Sequence, residues 1–115
     1  MQDIKKILTS IVEGIQEKKG LKITQVNLTE IPGTICDYFV ICEGTSPSQI
    51  SAIAESVERF VKKNAEISPI RVQGYRQAEW IGIDYGDVIV HVFLPEMRSH
   101  YNIESLWEDA VFENF

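Results

Sequence analysis

The sequence predicts an α/β chain of the α+β kind: a mixed five-stranded sheet flanked by helices, in the order αββαβββα, as one domain over residues 1–115. Three observations carry that prediction. Residues 4–15 set apolar side chains at helical spacing. Residues 88–94 are an almost unbroken apolar run rich in β-branched types, as expected of a strand at a sheet centre, buried on both faces, and residues 36–42 read as a second central strand. Between 80 and 94, two β-favouring runs flank Tyr85-Gly86, and the glycine can take the positive φ of a short hairpin loop. Helices separate the strand groups, so some neighbours run parallel and others antiparallel, and a helix-covered mixed sheet is the economical solution.

Ile4, Ile7, Leu8, Ile11, Val12 and Ile15 form one helical stripe. Asp3 favours its start, and Lys18-Lys19-Gly20 reads as its end, with cations in the last turn and a C-cap glycine. Leu21 to Leu28 alternates loosely as a strand, and Pro32-Gly33 marks a turn. Cys36 to Cys42 is the second strand. Ser46 suits an N-cap, Pro47 a first helical position, and Gln49 completes a capping box. That helix runs to about Asn64, with Ile50, Ile53, Ala54, Val57, Phe60 and Val61 inward. Ser68-Pro69 breaks the chain and Ile70 to Gly74 is a short strand. The hairpin follows, closed by Pro95, which cannot donate to a ladder. Beyond it come short helical pieces around Met97, Tyr101, Ile103, Leu106 and Trp107, then an apolar tail of Val111, Phe112 and Phe115.

At 115 residues the chain is near the commonest domain size. Apolar content of 44% and charged content of 24% are ordinary for a water-soluble fold. No apolar run nears the roughly 20 residues of a membrane span, and no apolar leader precedes the first helix, so a cytoplasmic protein is expected, with an organelle matrix as the alternative. Cys36 and Cys42 look like small buried hydrophobes of a reducing compartment. The net charge of −6 is uneven: residues 1–77 hold 10 Lys/Arg against 9 Asp/Glu, whereas residues 78–115 hold one Arg against 8 Asp/Glu. An acidic end disfavours nucleic acid as its direct partner and suits a basic protein, or serves only as a solvated surface.

Four constellations bear on chemistry. Gly44-Thr45-Ser46 before a helix is a turn that can hold phosphate. Nucleotidyltransferases follow such a turn with paired metal-binding carboxylates, and no Asp-x-Asp or Asp-x-Glu follows here; Asp84 and Asp87 bracket a turn instead. His91, His100, Cys36 and Cys42 lack metal-ligand spacing, so no metal or other cofactor is expected and His91 reads as a hydrogen-bonded histidine. No activated nucleophile is evident. What remains is an aromatic and acidic set, Trp80, Tyr85, Tyr101 and Trp107 with Glu79, Asp87, Glu96 and Glu108. Trp and Tyr are frequent interface anchors, so this set favours a binding module over an enzyme. Trp107 is the member best suited to the core.

Asp37-Tyr38-Phe39-Val40-Ile41, Gly44-Thr45-Ser46, the run Trp80 to Phe93, and Pro95-Glu96-Met97-Arg98 followed by Tyr101 and Leu106-Trp107 together resemble the Iojap family, the ribosomal silencing factors (RsfS). The resemblance runs from the first helix to about Ala110. Cys36 stands where family members often carry Ala or Ser. The resemblance implies a nucleotidyltransferase-like fold without catalytic carboxylates and no enzymatic activity. It also implies binding to the large ribosomal subunit through its fourteenth ribosomal protein, blocked joining of the small subunit, and lowered translation when nutrients are short. Organelle relatives act in ribosome assembly, and the free protein is often a homodimer. Trp80, Asp84, Tyr85, Gly86, Asp87, His91, Glu96, Arg98 and Tyr101 match the family motif and are the implied partner-binding set. Competing readings are a large-subunit assembly factor, an adaptor for another basic protein, and a nucleotide-binding relic using Gly44 to Ser46.

Overall fold

The structure is a computed structural model that describes residues 3–115. Its elements are α1 (Ile4–Glu17), β1 (Leu21–Asn27), β2 (Tyr38–Glu43), α2 (Pro47–Ala65), β3 (Arg71–Gln73), β4 (Trp80–Asp84), β5 (Val88–Phe93), α3 (Pro95–Tyr101), a 3-10 turn (Ile103–Trp107) and β6 (Val111–Asn114). One mixed sheet has the order β3-β4-β5-β2-β1-β6. The β2–β5 pair is parallel, with Tyr38 opposite Val88; the other neighbours are antiparallel.

The sheet has six strands, not five. The apolar tail is β6, laid antiparallel on β1 with Val26 opposite Phe112. All four of its residues are exposed. Its hold is the ladder itself, Thr24 Oγ1 donating to Asn114 Oδ1 (2.9 Å), and Phe115 N donating to the Ile23 carbonyl (3.0 Å). A strand fastened by backbone bonds without burial leaves no alternating pattern to read.

Strand parity divides the core in two. Val40, Cys42, Ile81, Ile83, Val88, Val90 and Val92 point to one face, beneath Ile7, Ile11 and Ile15 of α1 and Ile50, Ile53 and Val57 of α2. The helices approach closely because of Gly14: a Cβ there would lie 2.8 Å from Val57 Cα, and the Gly14 carbonyl accepts a buried 2.8 Å bond from Ser56 Oγ. The opposite face carries Val26, Phe39, Ile41 and Phe93, packed by Met97, Ile103 and Trp107. This second cover is partial. The expectation that Val88 to Leu94 is buried on both faces holds for Val88, Val90, Val92 and Phe93, whereas Ile89, His91 and Leu94 keep some exposure.

The caps differ in detail from the sequence pattern. Asp3 Oδ1 accepts from the Lys5 and Lys6 amides as expected. The left-handed residue after α1 is Lys19 (φ 60), not Gly20. Gly20 is confined instead by Ile15, whose side chain a Cβ would meet. Ser46 Oγ accepts from the Gln49 amide, but Gln49 Oε1 turns to the Thr45 amide (2.7 Å) and hydroxyl. Gln49 Nε2 then donates to the Lys18 and Lys19 carbonyls, tying the start of α2 to the end of α1. Phe60 is half-buried, and β2 begins at Tyr38 instead of Cys36.

Candidate protein-docking face

The second sheet face is where the singled-out side chains meet. Residues 80, 82 and 84 of β4 share it with 89, 91 and 93 of β5, because Gly82 lies opposite His91 and Asp84 opposite Ile89. On β3, Arg71 and Gln73 join them opposite Asp84 and Gly82. All of these except Phe93, with Gly74, line an open hollow of about 300 Å³. Over β2 the face is shut by Trp107, which packs edge-on against Phe39 at 5.0 Å.

Trp80 forms one wall of the hollow. Its ring stacks on the buried Phe93 (4.9 Å, 27°) and meets Tyr101 at 4.6 Å. Its indole Nε1–H donates to His91 Nδ1 at 3.0 Å. Tyr101 is 46% exposed and Trp80 is half-buried, so both present aromatic surface outward. Burial pulls the His91 imidazole down to about 4, so the ring is neutral near pH 7. Asp84 Oδ1 accepts from the Gly86 amide (2.8 Å), which sets the hairpin turn together with Gly86 at φ 91. Asp87, Glu79, Glu96 and Glu108 are exposed.

Two of the implied contact residues lie elsewhere. Tyr85 is 6% exposed and packs in the helix-side core, where burial pushes its hydroxyl pKa up. The strand parity that turns Asp84 to the open face sends Tyr85 to the other side. Arg98 is a clamp within the fold. Its guanidinium grips Glu104 through two 2.9 Å bonds, meets Glu43 at 3.2 Å, and donates to the Lys22 carbonyl (2.7 Å) and Thr24 Oγ1 (3.1 Å). Burial works against its charge, but Glu104 and Glu43 more than offset this and its pKa lies above the usual value. Arg71, Gln73, Gly82 and Ile89 were not in the implied set. The pairing of β3 with β4, which no residue type announces, puts Arg71 and Gln73 on this face, and strand parity puts Gly82 and Ile89 there.

The remaining constellations are engaged within the fold or buried in it. At the Gly44 turn, the Gly44 amide donates to the Phe93 carbonyl and the Thr45 amide to Gln49, so neither is free to cradle a phosphate. Cys36 and Cys42 are free, buried thiols pushed up by burial to about 11 and about 12, far from thiolate character. Among the described residues, no three His, Cys, Asp or Glu side chains group as metal ligands, and no helix is long and apolar enough to cross a membrane.

Comparison with known proteins adds to this geometry. The family model described as "Ribosomal silencing factor during starvation" matches residues 1–114. The chain is 39% identical to the ribosomal silencing factor RsfS of Halalkalibacterium halodurans, over 90% of this chain and 87% of that protein. It is 37% identical to RsfS of Bacillus subtilis, over 92% and 88%. A crystal structure of a Chromobacterium violaceum protein superposes with a TM-score of 0.85 at 31% identity, covering 91% of this chain and 86% of that one. More distant likeness extends to a mouse protein named for mitochondrial assembly of the ribosomal large subunit (31% identical over 68% of this chain and 35% of that protein) and to chloroplastic Iojap of Zea mays. With a match along nearly its whole length and a sheet that superposes on a relative's, the chain belongs to the ribosomal silencing factor (RsfS) family.

Proposed function

We propose that this protein is a translation repressor. It docks on the large ribosomal subunit by the face around Trp80 and Tyr101, against the fourteenth large-subunit ribosomal protein, and so keeps the small subunit from joining. Family membership over residues 1–114 carries the reading. The exposed aromatic pair supports the location, and the acidic balance of residues 78–115 suits a basic protein. The mechanism is steric competition and calls for no catalysis, metal or cofactor. It places the protein in the cytoplasm, and we take the unbound form to be a homodimer.

Sedimentation with separated subunits tests this. The protein should travel with large subunits and not with small ones, and should reduce formation of joined ribosomes. Trp80→Ala should weaken large-subunit binding by about thirtyfold, the ~2 kcal/mol typical of a central interface Trp. Its melting temperature must be read alongside, because the indole also packs on Phe93. Asp87→Lys should weaken binding less, and its effect should shrink as salt rises. Equal binding to both subunits would sink the reading. Binding confined to incomplete large subunits would favour an assembly role.

A further inference from the structure

His91 holds a position that stability alone does not account for. Its Nδ1 accepts the Trp80 indole N–H, so in the neutral ring the proton sits on Nε2. That Nε2 is buried and has no hydrogen-bond partner among the described residues. An orphaned buried donor costs free energy, and an apolar ring would avoid that cost. The rings packed around it are Phe39 (5.0 Å, edge-on), Phe93 and Trp80. A phenylalanine at 91 would suit that company.

We propose that His91 is a positioning residue for docking: its Nδ1 fixes the rotation of the Trp80 indole, so that one ring edge is always turned to the partner. Stacking on Phe93 and packing with Tyr101 limit the tilt of the indole, but flat ring contacts tolerate sliding and flipping. The directed bond at 3.0 Å removes that freedom before the partner arrives, and preorganised anchors bind more tightly for that reason. This rests on the docking reading above, with the partner's basic protein surface meeting an indole already set in place.

The experiment compares His91→Phe, His91→Leu and His91→Asn with the parent, in large-subunit sedimentation, thermal melting and the NMR signal of the Trp80 indole N–H. The chain has two tryptophans, so loss of one signal in Trp80→Phe assigns it. His91→Phe should melt at or above the parent temperature, shift the indole signal upfield, and bind large subunits roughly tenfold more weakly, the size of one lost net hydrogen bond. His91→Leu should lose binding likewise if the larger ring packs poorly. His91→Asn, whose Oδ1 can replace Nδ1, should recover the signal and most of the binding. Parent-like binding by His91→Phe with an intact Trp80→Ala defect overturns the inference alone. Parent-like binding by Trp80→Ala removes the docking reading and this inference with it. A binding loss that merely tracks melting temperature, without recovery by asparagine, also overturns it.

Discussion

Arg98→Ala is expected to destabilise the fold by roughly 3–5 kcal/mol, the cost of stranding a buried charge when its partner is removed. The Glu43 side chain is 10% exposed and that of Arg98 is 11% exposed, so neither reaches bulk water freely. Without the guanidinium, the Glu43 carboxylate loses its cation, while the Lys22 carbonyl and Thr24 hydroxyl lose a donor. Glu104, at 25% exposure, can turn to solvent and suffers less. For a domain of this size the loss corresponds to a melting-temperature drop on the order of 15 °C. Arg98→Met with Glu43→Met should recover much of it, because an apolar pair replaces a buried ion pair at little net cost. Denaturant melts of the two singles and the double measure this. A single-variant loss under ~1 kcal/mol would mean that the clamp is ornamental.

Stability should also fall as acid is added, through His91. In the folded chain this imidazole is held at about 4, against 6.5 for an ordinary histidine. Between those values the unfolded chain binds the proton and the folded one does not, so stability is lost as pH drops. The contribution is fully present above about pH 6.5, declines on the way down, and is gone once pH passes about 4. By then the penalty reaches roughly 3 kcal/mol. Protonation also places a hydrogen on Nδ1, which can then no longer accept from Trp80. Urea melts of the parent and His91→Phe from pH 7.5 to 4 isolate the effect: the gap between them should widen steadily in favour of the variant. Parallel curves would show that the imidazole titrates near its ordinary value.

The helices and the central strands were legible because each leaves a periodic trace of burial. The stripe from Ile4 to Ile15 and the run from Val88 to Phe93 needed no long-range information. The short segments were a different matter. At β6 the exposed residues Val111 and Phe112 look like a tail until β1 is known to lie beside them. For the candidate face, Trp80, Asp84, His91 and Tyr101 were found from the motif. Tyr85 and Arg98 belonged to the same motif but serve the interior. Residue type cannot separate the two uses: a tyrosine beside a hairpin glycine and an arginine on a short helix look exposed. Strand parity decides the first, and the encounter of residue 98 with residues 22, 24 and 43 decides the second.

The parallel register of β2 on β5 sets the tempo of folding. Tyr38 and Val88 face each other across 49 intervening positions, and Val111 meets Asn27 across still more. Neither ladder can close until the intervening chain has been gathered in, and long closures slow the search for the native state. The β4–β5 and β1–β2 hairpins, by contrast, need far shorter loops. The two hairpins should therefore form first, with the β2–β5 ladder seated later and β6 joining last, in milliseconds or longer. Substitutions in β6 should thus speed unfolding while leaving the refolding rate nearly unchanged.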